Sequence, residues 1–375
     1  MNLKMPKLVI GDLDVKVPII QGGMGVGISL AGLASAVANE GAIGVISSAG
    51  IGMLEPDFRT NFKEANRRAL KNEIRKARKM TDGIIGVNIM VALSDFNDLV
   101  LTALEEMVDI IFFGAGITLN NLKTLAEGKI EKITTKFVPI ISSAKSARII
   151  FQWWSRHYNY VPDAVVVEGP LAGGHLGFTR EQINNPNYAL EKLLLDVISI
   201  IIPFEDQYSK KIPVIAAGGV YTGEDIYKLI NLGADGVQMA TRFVTTFECD
   251  ASDEFKEAYI NCNNKDDIVI IESPVGMPGR AIRNRFIEDI SLGIKKPFKC
   301  PWKCLKTCDF TKSKYCIALA LTNAKLGNLD EGFVFAGANA YLSNKIISVK
   351  KLIEELSEEY KIAVLNETKL SNVRL

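Results

Sequence analysis

One of the few histidines stands in a segment that could perform acid–base chemistry. The chain has 375 residues and two histidines, and His175 lies in the sequence GPLAGGHLGF. An imidazole titrates near neutrality, so it can accept or donate a proton at working pH. Gly173 and Gly174 allow a tight turn that brings this ring close to a ligand. The segment predicts an acid–base site, and the structural alternative is a buried histidine bonded to a backbone carbonyl.

Polar residues end two other apolar segments. Asn88 stands in GVNIM and Lys145 in ISSAKSA. If both segments are strands, each side chain could face a shared cavity and bond a heteroaromatic ring. Each could instead cap the following helix or face solvent, and the sequence leaves these alternatives open.

Three glycine-rich segments predict close contact between backbone and ligand. GGMGVG at 22–27 departs from the G-x-G-x-x-G spacing of dinucleotide folds, because Ile28 stands where the last glycine belongs. AAGGVYTGEDI at 216–226 puts glycines before a helix N-terminus, which suits a phosphate. DGVQMATRF at 235–243 adds small residues and Arg242. These segments predict a phosphate site, and the alternative is that Gly-Gly eases a turn and Arg242 is solvated.

Four of the six cysteines crowd into KCPWKCLKTCDFTKSKYC. Cys300, Cys304, Cys308 and Cys316 are spaced by four, four and eight residues. On a helix the first three would share a face, and such thiolates could hold zinc or an iron–sulfur cluster. The spacing matches neither a zinc-ribbon pair nor the usual ferredoxin patterns. The alternative is a set of apolar thiols packed in a reducing cell.

Eight short apolar segments predict the strands that must position these residues. Their lack of period-two alternation is typical of parallel strands buried on both faces. Helical patterns lie between them, including a basic amphipathic segment at 62–80 and another helix at 119–128. This alternation predicts an α/β fold, a (β/α)₈ TIM barrel, and a doubly wound sheet is the structural alternative. The eight segments are 17–23, 42–50, 84–90, 108–116, 137–145, 163–169, 212–219 and 235–241.

The pattern breaks after the eighth predicted strand. Residues 250–335 contain charge clusters, the turn-rich SPVGMPGR and the four cysteines. We predict a barrel domain from 1–249 and 336–375, with 250–335 as an insertion that caps the substrate site. It would lie over the C-terminal rim, where barrel enzymes have their active sites. By position, Met277 and Arg280 are predicted to line the substrate mouth.

Composition excludes several function classes. Hydrophobic residues make up 48% and charged residues 23%, which suits a globular protein with a sizeable core. A net charge of +1 gives no reason to expect nucleic acid or an anionic membrane as partner. No apolar run approaches the roughly 18 residues of a membrane helix, and a signal-peptide pattern is lacking. We expect a cytoplasmic protein with a small-molecule substrate, and the helix at 62–80 permits a homodimer.

In order along the chain, five motifs resemble the nitronate monooxygenase family. They are PIIQGGMGVGIS, GVN, EG-x-x-AGGH, AAGG and MATRF, and SPVGMPGRAIRN extends the match. This family, formerly called 2-nitropropane dioxygenase, includes flavin-dependent enoyl-acyl-carrier-protein reductases. The resemblance covers about residues 5–250 and implies a barrel that holds FMN in its mouth. One difference is that Pro170 and Leu171 stand where the family often has Glu-Ala.

The resemblance also implies roles for residues. His175 would be catalytic, the first strand's glycines would lie along the isoalloxazine, and the last two strands would hold the phosphate. The implied cofactor set is Gly22, Gly23, Met24, Asn88, Lys145, Glu168, Gly173, Gly174, Gly218, Gly219, Gly236, Met239, Ala240 and Thr241.

Two activities share these residues. In the first, alkyl nitronates are oxidised by dioxygen, and His175 removes the α-proton of a nitroalkane. In the alternative, an NAD(P)H-dependent enoyl-ACP or activated-alkene reductase, His175 donates the proton. An iron–sulfur cluster at the cysteines would favour the reductase. A third hypothesis, a flavin-binding protein without turnover, is opposed by the intact histidine.

Overall fold

Eight parallel strands form the central sheet of the computed structural model, which describes residues 3–119, 133–294, 296, 298–300 and 302–373. Strands β3 to β8, β10 and β11 pair in parallel, and β11 pairs with β3. The backbone of Ile43 exchanges hydrogen bonds of 3.0 Å with Ile19 and Gln21, so the sheet closes on itself. The predicted (β/α)₈ barrel is therefore confirmed against the open doubly wound sheet. The strands are β1 (Leu8–Ile10), β2 (Leu13–Val15), β3 (Ile19–Gln21), β4 (Gly44–Ser47), β5 (Ile85–Met90), β6 (Ile110–Gly114), β7 (Lys136–Ile141), β8 (Val165–Glu168), β9 (Gly174–His175), β10 (Val214–Ala217), β11 (Gly236–Met239), β12 (Ile268–Glu272) and β13 (Pro278–Ile282).

Helices alternate with the barrel strands, as the sequence pattern predicts. The predicted helix at 119–128 lies outside the described residues, apart from its first residue. In the described part of the chain, no helix is long and apolar enough to cross a membrane. The helices are α1 (Ala31–Asn39), α2 (Phe58–Met80), α3 (Phe96–Glu105), α4 (Ala144–Tyr158), α5 (Arg180–Ile183), α6 (Leu190–Tyr208), α7 (Gly223–Asn231), α8 (Thr241–Val244), α9 (Asp253–Ile260), α10 (Arg285–Ser291), α11 (Ile317–Lys325) and α12 (Val349–Val373).

The barrel interior is an apolar core that is closed at its N-terminal end. Ile20, Phe112 and Val166 are fully buried there, and they belong to one cluster with Leu8 and Ile10 of the β1–β2 hairpin. Burying this much apolar surface is the dominant favourable contribution to folding. Because the hairpin covers the N-terminal end, the loops after the strands enclose their cavity at the C-terminal end.

Residues after β11 form a smaller layer above this end. Strands β12 and β13 make an antiparallel hairpin, and β13 also pairs with β9. Phe286, Tyr315 and Phe333 form an apolar cluster beneath the hairpin. Helix α12 then returns to the barrel, where Tyr360 packs edge-on against Tyr227 of α7. The hairpin thus places residues distant in sequence beside the loop that carries His175, while the domain boundaries at 249 and 336 stay a prediction.

Candidate active site

A cavity of about 650 Å³ lies at the C-terminal ends of the barrel strands. Its size is in the range of small-molecule and cofactor sites. Of the fifteen catalytic and cofactor residues predicted from sequence, all but Lys145 and Gly236 line it, which leaves thirteen, and Met277 lines it too. The thirteen are Gly22, Gly23, Met24, Asn88, Glu168, Gly173, Gly174, His175, Gly218, Gly219, Met239, Ala240 and Thr241.

Lys145 and Gly236 do not reach the cavity. Ser143 caps α4 by accepting the amide of Ser146, and this helical register turns Lys145 outward into solvent. Gly236 begins β11 and therefore lies at the end of the strand away from the mouth. A Cβ at Gly236 would lie 2.9 Å from the carbonyl oxygen of Pro18. Neither residue lines the cavity, and their roles in cofactor binding stay a prediction.

The N-terminus of α7 is not available to a phosphate. Its Tyr221 and Thr222 amides donate to the carboxylate of Asp225, at 3.0 and 2.8 Å. The Gly223 amide donates to Glu359 at 2.7 Å. Because these amides already have acceptors within the protein, they do not contribute to the anion site predicted for this segment.

Arg242 is also engaged elsewhere. Its guanidinium donates to the carbonyl of Tyr221 and to the carboxylate of Glu355, both at 3.2 Å. It also lies over the Tyr221 ring, 4.8 Å from the centroid. This arginine joins α8 to α12 and does not line the cavity.

The glycine pair after β10 presents free backbone to the cavity. Gly218 and Gly219 have φ angles of +91° and +93°, a conformation that favours glycine. A Cβ on Gly218 would lie 2.7 Å from the carbonyl oxygen of Gly169. Over the described ranges, the amides of both residues have no acceptor. Together with Ala240 and Thr241, they form the part of the cavity suited to a phosphate.

His175 is held from three sides by residues after β11. Its backbone pairs with Gly279 of β13. Its Nε2 lies 2.7 Å from the hydroxyl oxygen of Ser273, and its ring packs edge-on against Phe335 at 5.0 Å between centroids. Burial lowers the pKa of His175 to about 4, because a charged imidazolium loses hydration there. The ring is therefore neutral at pH 7.

Arg280 supports the His175 loop from below and does not line the mouth, so that prediction is wrong. Its side chain is 5% exposed. One guanidinium nitrogen donates to the carbonyls of Pro170 and Ala172, at 2.6 and 2.5 Å. Burial lowers its pKa to about 10, so it stays charged at pH 7. Arg280 thus holds the segment around Pro170 and Leu171, where the chain departs from the family pattern, through backbone carbonyls. This contact does not depend on which side chains stand there.

Glu168 and Asn88 are two of the polar residues that line the cavity. Glu168 ends β8 and faces the cavity, and burial raises its pKa to about 7. The Asn88 amide donates to the carbonyl of Phe112 at 3.5 Å. A Cβ on Gly23 would clash with Asn88, so glycine at this position lets the loop after β3 lie directly on that side chain.

Two polar residues of the site were missed from the sequence. Ser273 begins the SPVGMPGR segment, which was singled out for Met277 and Arg280 but not for its hydroxyl. Asn339 lines the cavity and donates to the Gly219 carbonyl at 2.7 Å. No sequence signal marked Asn339, because its contact joins residues 120 positions apart.

The four clustered cysteines line one small cavity beside the mouth. Residues 300 and 302–308 are not helical, so the predicted helical face of three thiols is wrong. Among the residues that the structure describes, no three His, Cys, Asp or Glu side chains stand close enough to hold one metal ion. A single zinc ion at these thiols is therefore not supported.

A closed barrel with a glycine-lined cavity and a half-buried histidine at its mouth is the architecture of a class of barrel enzymes. The family model for nitronate monooxygenase matches residues 7–118 and 99–359 of this chain. The chain belongs to the nitronate monooxygenase family and is an oxidoreductase.

Its relatives carry several activities. It is 28% identical over 281 residues to an octahydroindene-carboxyl-CoA dehydrogenase of Mycobacterium tuberculosis, covering 75% of this chain and 67% of the relative. It is 28% identical over 318 residues to a probable nitronate monooxygenase of Staphylococcus aureus, covering 74% and 79%. FabK from Thermotoga maritima superposes with a TM-score of 0.72 at 29% identity, over 95% and 96% of the chains. Nitroalkane oxidase from Streptomyces ansochromogenes, at 20% identity, gives 0.71 over 94% and 98%, and this shows the fold alone.

Proposed function

We propose that this protein binds FMN at the barrel mouth and oxidises alkyl nitronates, formed there from nitroalkanes, with dioxygen as the acceptor. The observation that carries the proposal is the neutral imidazole of His175 in a cavity of cofactor size. Burial favours the neutral form of the ring, and a neutral imidazole can accept a proton from carbon.

The residues of the cavity fit FMN. The loop from Gly22 to Met24 and the Asn88 side chain would hold the flat ring, because glycine allows close approach of the backbone. The free amides of Gly218 and Gly219 would bind the phosphate. FMN, when bound, supplies a two-electron acceptor that reacts with dioxygen.

His175 would perform the proton step. The α C–H bond of a nitroalkane breaks, the proton goes to an imidazole nitrogen, and the electron pair stays on the nitro-bearing carbon to give the nitronate. If the Nε2–H donates to Ser273, the lone pair that accepts the proton is on Nδ1. The role of Ser273 is then to hold one tautomer and one ring orientation.

A second candidate is the reduction of an activated alkene, such as an enoyl thioester, with NAD(P)H. The residues that line the described cavity include no lysine or arginine, so the cavity offers an anionic nitronate no cationic side chain. A neutral alkene suits this surface equally well, and the similarity to FabK supports it. In this reaction His175 must donate a proton, which requires bound ligands to raise its pKa.

Anaerobic absorbance of the purified protein distinguishes these candidates. We expect a flavin band that propyl-2-nitronate bleaches, while NADH and NADPH leave it unchanged. Bleaching by a nicotinamide, followed by recovery on adding crotonyl-CoA, would establish the reductase instead. Absence of flavin after reconstitution with FMN would exclude both.

A further inference from the structure

The four clustered thiols line a single cavity although only one of them stands at the start of a helix. Cys300, Cys304 and Cys308 lie on an irregular segment, and Cys316 is delivered by the start of α11. All four side chains line this cavity, so a group bound there would be within reach of each thiol.

The surroundings of these thiols suit an anionic, oxygen-sensitive group. Phe298, Phe310 and Ile317 line the same cavity, and Trp302 packs against Cys300 and Cys304. This apolar shell limits the access of water. Lys303 also lines the cavity and could offset negative charge. From 299 to 314 the chain has five lysines and one aspartate.

This cysteine cavity adjoins the candidate flavin cavity. Cys304, Leu305 and Ile317 line both of them. The Cys304 carbonyl accepts the Ser94 amide at 3.0 Å, which ties the cysteine segment to the loop after β5. Asn88 lies on β5. The strand that carries this candidate flavin-binding residue therefore also leads into the loop that contacts the cysteine segment.

We propose that Cys300, Cys304, Cys308 and Cys316 bind a [4Fe–4S] cluster beside the barrel mouth. A single zinc ion needs thiolates about 2.3 Å from one point, and the described thiols do not converge in this way. In a Cys₄ set each thiolate binds a different iron, so the four thiols need not converge on one point.

The ligation step balances without electron transfer. A cluster core of two ferrous ions, two ferric ions and four sulfides carries a charge of +2. The four thiols release four protons, four iron–sulfur bonds form, and the bound cluster carries a charge of −2. What such a site adds is a one-electron carrier. Such a carrier would favour the reductase among the two candidate activities. Its use beside a flavin rests on the proposed function's binding of FMN, whereas the presence of the cluster does not.

Iron and sulfide analysis of the full-length protein, purified without oxygen, tests the proposal. We expect about four iron atoms and four acid-labile sulfides per chain, with an electron paramagnetic resonance signal after reduction by dithionite. The Cys308→Ala variant should lose most of the iron and the signal. Its matched control is Cys262→Ala, since Cys262 is a cysteine outside the group, and this control should keep both.

The other outcomes decide against the proposal. One zinc ion per chain without sulfide would overturn it, as would a protein that stays free of iron after reconstitution with iron and sulfide under anaerobic conditions. If Cys308→Ala does not fold, Cys308→Ser with the same iron analysis replaces it, and full retention of iron in that variant also overturns the site. A cluster in a protein that binds no FMN would refute the proposed function and leave this inference intact.

Discussion

The hydroxyl oxygen of Ser273 lies 2.7 Å from Nε2 of His175, although 98 residues separate them in sequence. The two residues meet because β13 pairs with the two-residue strand β9 that carries the histidine. Ser273 is 6% exposed, so bulk water does not compete freely for the contact. The segment after the barrel strands therefore takes part in orienting the candidate catalytic ring.

Replacing this hydroxyl should impair turnover without displacing the cofactor. Ser273→Ala should lower kcat about tenfold, roughly the worth of one buried hydrogen bond. FMN content should stay at the wild-type level, and Ser273→Thr should restore part of the rate. Steady-state kinetics with propyl-2-nitronate and 2-nitropropane measure this. A change in KM alone would contradict a positioning role.

Removing the imidazole should have a larger effect. His175→Gln should lower kcat/KM for 2-nitropropane by about 10²- to 10⁴-fold, the usual contribution of a positioned acid–base group. Oxidation of preformed nitronate should fall less, because its α-proton is already absent. Comparing the two substrates at equal flavin content is the measurement. A variant with wild-type rates on both would refute a catalytic role for His175.

Substitution of the phosphate-facing glycine Gly219 should weaken FMN binding, and substitution of Lys145 should not. Gly219→Ala forces a side chain into a φ of +93° and brings a Cβ to 2.9 Å from Leu171. We expect FMN affinity to fall at least tenfold, from about 1–3 kcal/mol of strain. Lys145→Ala is the matched control and should change FMN affinity less than twofold. Fluorescence titration of the FMN-free proteins with FMN checks both.

Arg280 should matter for stability and for the His175 loop. Arg280→Met keeps much of the apolar stem but leaves the carbonyls of Pro170 and Ala172 without their buried donor. Each unsatisfied group costs about 1–3 kcal/mol, so the melting temperature should fall by several degrees. The control Arg180→Met changes an exposed arginine. Equal melting temperatures for the two variants would show that Arg280 does not stabilise the fold.

Glu168 and His175 should give opposite dependences of stability on pH in the FMN-free protein. The folded pKa of Glu168 is raised to about 7 from 4.5, so the stability it contributes is present below pH 4.5 and lost as pH rises to 7. The folded pKa of His175 is lowered to about 4 from 6.5, so its contribution is present above pH 6.5 and lost as pH falls to 4.

Melting temperatures from pH 4 to 8 test these signs. Glu168→Gln should leave a stability that rises with pH between 4 and 6.5, because only the histidine effect remains. His175→Gln should leave one that falls between pH 4.5 and 7. Parallel curves for the two variants and the parent protein would mean that neither group titrates with a shifted pKa.

The sequence by itself determined the barrel and most of the cavity. Eight apolar segments alternating with helical ones specify parallel strands, because local periodicity decides which faces are buried. Residues in the loops after such strands, including Gly23, His175 and Gly218, lie at the same end of the barrel for that reason. Their convergence needed no knowledge of distant contacts.

Only the tertiary structure decided the orientation and the partners of the remaining residues. The register of α4 turns Lys145 into solvent, one helical position from Ser146, which lines the cavity. Pairing between β9 and β13 brings Ser273 to His175, and the same hairpin turns Arg280 inward. These outcomes depend on pairings between segments about a hundred residues apart, which local sequence patterns do not encode.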